Sequence, residues 1–134
     1  MLAAVFLLLT AVEMNADDMK NKTSERTETH SETFLYEKQL NWENAGEHVT
    51  RQIMGYNGDI MLVKVKFEKN AVGTPHRHPH TQTTYIVSGK FKFTVDGKTQ
   101  IVGPGDGVFV APNVLHGCVC LEPGVLIYCC PVKL

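Results

Sequence analysis

The chain has 134 residues, 43% of them hydrophobic and 20% charged, which suits one domain around one core and leaves no room for a second. Formal net charge is −1 and Lys and Arg are not clustered, which argues against a nucleic-acid footprint. From Arg51 onward nine basic residues meet five acidic ones, a net of +4; that balance suits an anionic small molecule, although ordinary solvated surface would produce it too.

Leu2 to Val12 is nearly unbroken apolar sequence, followed by a polar stretch through Ser31. The run is too short to span a bilayer as a helix. It reads either as the hydrophobic part of an export signal, with Ala16 as a cleavage position, or as sequence ahead of a true start at Met14 or Met19. No Lys or Arg precedes it, as an export signal would ask. On either reading residues 1–31 stand outside the fold and the domain is 32–134. The location is then cytoplasmic, or periplasmic if residues 1–16 are a genuine signal peptide. Asn21 to Thr23 matches a glycosylation acceptor, a triplet too common to carry weight.

Phe34 to Asn41 and Arg51 to Met54 are expected to add edge strands, with a turn of helix at Trp42 to Ala45 between them. From Ile60 a period of two takes over. Met61, Val63, Val65 and Phe67 alternate with Leu62, Lys64, Lys66 and Glu68, as a half-buried strand requires. After a turn at Lys69 and Asn70, a strand at Tyr85 to Val87 runs into Gly89. Phe91, Phe93 and Val95 then alternate with Lys90, Lys92 and Thr94 up to Asp96-Gly97, a two-residue hairpin signal, and Lys98 to Val102 returns. Gly103 to Asp106 turns the chain again. Strands follow at Val108 to Ala111 and His116 to Leu121, and Glu122 to Gly124 leads into Val125 to Cys129. Short, evenly spaced strands without helical period predict an all-β sandwich or barrel.

Cys118, Cys120, Cys129 and Cys130 do not have Cys-x-x-Cys spacing. Cys118 and Cys120 share one face of a strand, whereas Cys129 and Cys130 point to opposite faces, and all four read as small hydrophobes in a barrel wall.

Chemistry is concentrated in the run from Gly73 to Gln82, which holds His76, His78 and His80, and in Gly105 to His116. His76 and His78 are two apart, so on extended backbone their rings leave one face and can converge on one ion. Gln82 keeps that parity if the chain stays extended through Pro79, or reaches the same point after a turn. His116 arrives on another strand beside Gly117, where a missing side chain permits close approach. Three imidazoles and one amide would hold a divalent ion and leave positions for water or substrate. The competing reading is a solvated polar turn. His80 is expected at the rim of the site or behind a ligand rather than as a ligand.

These two segments resemble the motifs of the cupin family, the first in Gly73 to Gly89 and the second in Gly105 to His116. The resemblance implies a cupin β-barrel, a double-stranded β-helix of jelly-roll type, with metal ligands at His76, His78, Gln82 and His116. It also implies a homodimer joined through an edge strand near residues 34–41. The family most often has glutamate where this chain has Gln82. Arg51-Gln-Ile, the His-x-His-Pro-His-x-Gln run and Pro112-Asn-Val-x-His116 are similar to the pectin-degradation (KdgF-type) branch. That branch implies linearising an unsaturated uronate to an open keto-uronate with a bound divalent ion, which would be Zn, Ni, Mn, Fe or Co.

A neutral amide in place of a carboxylate ligand leaves the site one positive charge richer. At ~4 Å and an effective dielectric of about 20, that is worth roughly 4 kcal/mol to an anionic ligand before desolvation. Arg51 is the candidate clamp for the substrate carboxylate, and it reads equally well as a surface residue. The branch carries an acidic proton-transfer residue and an aromatic on its last strand, then a Pro-x-Arg ending; here those positions fall at or near Tyr128 and Cys130, and no Asp, Glu or Arg follows Glu122. Tyr128 is therefore the remaining acid–base candidate, provided its pKa falls from ~10, and otherwise a strand tyrosine packing its ring. Two functions follow: a metal-dependent enzyme on a small sugar acid, or a cupin that binds such an acid without turning it over. An iron-dependent oxygenase, to which Cys118 would contribute, is a third.

Overall fold

The alternation along Ile60–Phe67 becomes a strand that buries Met61, Val63, Val65 and Phe67 and leaves Leu62 and Lys66 exposed. In the computed structural model, which describes residues 29–131, ten strands form two sheets. In chain order they are β1 (Glu43–Gly46), β2 (Val49–Tyr56), β3 (Ile60–Phe67), β4 (Val72–His76), β5 (Gln82–Ile86), β6 (Lys90–Val95), β7 (Lys98–Val102), β8 (Gly107–Val110), β9 (His116–Glu122) and β10 (Gly124–Pro131). One sheet has the order β1-β2-β3-β10-β5-β8 and the other β4-β9-β6-β7, and every pairing is antiparallel. The expected all-β cupin barrel is what forms. Residues 1–28, with the apolar run, the cleavage and start positions and the glycosylation triplet, lie outside the described residues.

Between the sheets lie Val63, Ile86, Phe91 and Cys120, each fully buried, with Phe67 edge-on to Phe91 at 5.3 Å between ring centroids. Each such side chain contributes roughly 1.5–3 kcal/mol on burial, so the strand alternation is also the main source of stability. The β6–β7 hairpin turns at Asp96 and Gly97 with φ of 50° and 75°, the left-handed pair that two-residue hairpins demand. Gly89 and Gly124 pack backbone to backbone. A Cβ on Gly89 would come within 2.6 Å of the Gly124 Cα, so the β9–β10 turn can sit against the end of β5 only with glycine at both places.

Four local expectations change. β5 begins at Gln82 rather than Tyr85, because Thr83 and Thr84 pair with both β10 and β8. Trp42 to Ala45 contributes to strand β1 instead of a helical turn, held in register by Glu43 opposite Arg51. Residues 34–41 form no edge strand. They hold a single 3-10 turn at Glu37–Gln39 against the outer side of β2 and β3. The fully buried Gln52 donates from Nε2 to the Glu37 and Leu40 carbonyls at 3.1 Å each, Lys64 pairs with Glu37 at 2.9 Å, and the Lys64 and Lys66 ammonium groups cover the Trp42 ring. The segment is tied in as far back as Ser31, whose N–H donates to the Tyr56 carbonyl and whose Oγ accepts from the Tyr56 N–H. Arg51 to Met54, in β2, is flanked by β1 and β3 and is no edge either; among the described residues the edges of the six-stranded sheet are β1 and β8, and those of the other β4 and β7.

Candidate metal centre

β4 and β9 carry the first two ligand candidates. His76 lies directly opposite His116 in the ladder, after a bulge between Gly73 and His76 that turns the end of β4 inward. Gly117 makes this approach possible, since a Cβ there would stand 2.8 Å from the Gly73 carbonyl oxygen and 3.0 Å from Pro75. His78 follows in the loop to β5. Its carbonyl accepts the Asn113 N–H at 2.7 Å, with Asn113 in the left-handed region at φ 63°, so the two motif segments are joined by backbone.

The ring nitrogens of His76, His78 and His116 lie within 4.8 Å of one another. Each ring is oriented from behind in the same way. Nδ1 of His76 donates to the Thr74 carbonyl at 2.8 Å, that of His78 to the His80 carbonyl at 2.9 Å, and that of His116 to the Val114 carbonyl at 2.8 Å. This fixes the tautomer so that each Nε2 carries a lone pair, the arrangement metal-binding histidines use. Nε2 of His116 is buried with no hydrogen-bond partner. Burial, with help from the neighbouring His76 and His78 and against the bond to Val114, pulls the His116 pKa below 6.5 and favours the neutral, ligating form. Exposure is graded, with His116 buried, His78 half-buried and His76 exposed, so the cluster opens on the His76 side.

Gln82, the first residue of β5, brings Oε1 to 3.1 Å from His78 Nε2, while its Nε2 donates to Thr84 Oγ1 at 3.2 Å. The His80 ring stands 5.9 Å from that of His78 and lines the same cavity, and its carbonyl accepts from His78 Nδ1. The donor set of imidazole nitrogens and an amide oxygen suits Zn, Ni, Co, Fe or Mn. A buried imidazole nitrogen left without a partner is what such an ion would satisfy.

The cluster faces a cavity of about 720 Å³ between the sheets, with Val65, Phe67 and Leu126 in its walls. Arg51 and Tyr128 line the same cavity from β2 and β10. Arg51 Nε donates to Glu43 Oε2 at 3.2 Å, and the guanidinium charge acts on the Tyr128 hydroxyl from the same side of the cavity. Burial raises the Tyr128 pKa above 10 despite Arg51, so the phenol keeps its proton at neutral pH, opposite in direction to what a catalytic base would need. Burial also raises Cys118 to about 11, which leaves this cavity-lining thiol protonated and inert. All four cysteines are free, and Cys118 and Cys120 are buried together as their spacing implies. Among the described residues, no helix is long and apolar enough to cross a membrane.

The roles of Thr84, Glu43 and Asn113 were not apparent in the sequence. The Gln82-x-Thr84 spacing was the available signal for the first, since residues two apart on a strand share a face.

The model of the cupin domain matches residues 63–130. The chain belongs to the cupin family. Within it, this cupin stands near the KdgF proteins. It is 36% identical over 92 residues to the pectin degradation protein KdgF of Dickeya dadantii, covering 68% of this chain and 84% of that protein. Among solved structures, an RmlC-like cupin from Shewanella frigidimarina superposes with a TM-score of 0.77 at 39% identity, covering 79% of this chain and 96% of the other. KdgF from a Halomonas species superposes with a TM-score of 0.73 at 32% identity, covering 78% and 96%.

Proposed function

We propose that this cupin is a metal-dependent enzyme that linearises an unsaturated uronate or a related small sugar acid. The observation that carries the reading is that Arg51 and Tyr128 line the same cavity as the three-imidazole cluster, which gives one ligand an anion clamp and a metal centre together. The similarity to proteins named for pectin degradation supports the substrate class.

His76, His78, Gln82 and His116 hold one divalent ion, which supplies a Lewis acid for a substrate hydroxyl or ring oxygen. Arg51, already aligned by Glu43, pairs with the uronate carboxylate, and the protonated Tyr128 hydroxyl donates a hydrogen bond to the same end of the substrate. Val65, Phe67 and Leu126 exclude water from the far wall, which strengthens both contacts. The amide at Gln82 leaves the centre more positive than a carboxylate would, in keeping with an anionic substrate.

The test is incubation with unsaturated galacturonate and each of several divalent metals. The ultraviolet absorption of the conjugated ring is expected to disappear faster than in buffer with metal, and unchanged absorption with every metal would defeat the enzymatic reading.

One observation favours a second reading, a cupin that binds a small acid without turning it over. Glu47 is the only carboxylate among the described residues lining the cavity, and its side chain is 91% exposed. That reading predicts saturable uronate binding by calorimetry with no loss of absorption, and it fails if His116→Ala abolishes a measured turnover in a folded protein. For a homodimer, the unpaired edges of β1 and β8 offer strands to a second copy, and light scattering reads the mass directly.

A further inference from the structure

Gln82 and Thr84 lie two apart on β5, so both point to the inner face of the six-stranded sheet. The Gln82 amide is turned so that Nε2 donates to Thr84 Oγ1 at 3.2 Å and Oε1 stands 3.1 Å from His78 Nε2. The second contact is the informative one. His78 Nδ1 is bonded to a backbone carbonyl, which can only accept, so the ring proton sits on Nδ1 and Nε2 presents a lone pair. Two lone pairs facing each other at hydrogen-bond distance repel unless a cation lies where both point.

The amide has a second state. Rotated by half a turn, its NH2 would donate to His78 Nε2 and its oxygen would face Thr84. In that state the group offers a donor to the centre and competes with an ion for His78. The Thr84 hydroxyl can face either state, but once an ion draws the oxygen to the imidazoles the NH2 needs an acceptor on the side away from them. Thr84 Oγ1 is that acceptor. Thr84 is 3% exposed, lines the cavity beside Gln82, and is paired with Tyr128 on β10 and Val108 on β8.

We propose that Thr84 is a positioning residue whose hydroxyl accepts from the Gln82 NH2 and thereby turns the Gln82 carbonyl oxygen to the three imidazoles as a metal ligand. The inference rests on reading Gln82 as a ligand. A glutamate at position 82 would instead present its second oxygen to the Thr84 hydroxyl, which would then donate rather than accept.

Metal titration calorimetry with Ni(II) and Zn(II) on the folded apo protein tests it. Thr84→Val is expected to weaken binding by roughly 10–100-fold, the scale of losing an outer-sphere partner, and Thr84→Ser to restore it to within a few-fold. In a Gln82→Leu background, where the ligand itself is gone, Thr84→Val is expected to change affinity by less than ~3-fold, which a general packing defect would not reproduce. Bound Co(II) gives a second readout: its visible absorption intensifies as coordination number falls, so Thr84→Val and Gln82→Leu should give matching, stronger spectra.

Wild-type affinity in Thr84→Val, or an equal loss in the Gln82→Leu background, overturns the inference. Should Thr84→Val fail to fold, Thr84→Ala in the same two backgrounds measures the same coupling. Unchanged affinity in Gln82→Leu removes the ligand reading itself; a loss in Gln82→Leu with none in Thr84→Val removes only the role of Thr84.

Discussion

His76 and His116 face each other across the β4–β9 ladder with ring centroids 4.4 Å apart, and each ring is held from behind by the carbonyl two residues before it. Backbone geometry alone therefore aims both Nε2 atoms at one point. Rings held by backbone in this way lower the ordering cost of binding an ion.

Removing the buried member of the cluster should abolish metal binding. His116→Ala is expected to cost more affinity than the ~10–100-fold typical of outer-sphere changes. Metal at one hundred times its Kd should stabilise the parent protein by about 2.7 kcal/mol and raise its Tm, and this shift should vanish in the variant. Elemental analysis of protein purified without chelator, with differential scanning calorimetry, reads both. An equal metal-induced shift in the two proteins would remove His116 from the centre.

Acid should weaken both the centre and the fold around it. Each imidazole must be neutral to bind, so metal affinity is expected to fall as pH drops through about 6.5, and constant affinity between pH 5 and 8 would contradict the three-imidazole assignment. In the metal-free protein His116 has a lowered pKa, so below 6.5 the unfolded chain takes up a proton that the folded chain resists. The unfolded state then binds more protons, and stability rises with pH across the interval from the lowered value up to 6.5 and is lost in going down. Urea unfolding between pH 4.5 and 8 should show this slope in the parent and a shallower one in His116→Phe.

Arg51 should report on substrate rather than on metal. Losing a charged hydrogen bond costs about 1.5–3 kcal/mol, so Arg51→Ala is expected to lower kcat/KM for the uronate by roughly 10–100-fold with metal affinity unchanged. Arg51→Lys should recover only part, because an ammonium cannot make the two parallel bonds to a carboxylate that the guanidinium fork makes. An unaltered kcat/KM in Arg51→Ala would remove it from the substrate site.

Gly117→Ala would push a Cβ to 2.8 Å from the Gly73 carbonyl oxygen, which is backbone and cannot swing away. Overpacking of this kind costs about 1–3 kcal/mol, and here it would also part β4 from β9 and separate His76 from His116. Chemical denaturation should show the loss in stability, and calorimetry a matching loss in metal affinity. Gly97→Ala is a poor control because φ is 75° there; Gly58→Ala, with no heavy atom within 4 Å of its added Cβ, is the better one.

What the sequence determined by itself is whatever repeats over short range. The alternation in β3 and β6 sorted core from solvent, because a strand sends successive side chains to opposite faces, and Asp96-Gly97 and the Gly103 to Asp106 turn placed the reversals. The parity of His76 and His78 and the glycine beside His116 marked the centre for the same reason. Tertiary structure decided what depends on contacts between distant segments. Residues 34–41 carry strand-like aromatics, yet their carbonyls are taken by the Gln52 amide, and Trp42 to Ala45 extends because Glu43 pairs with Arg51. The direction of the Gln82 amide, the contact between Arg51 and Tyr128, and the upward shift of the Tyr128 pKa all follow from how β2, β5 and β10 close over one cavity. Composition and spacing carry no trace of that closure, since desolvation and pairing act through space and not along the chain.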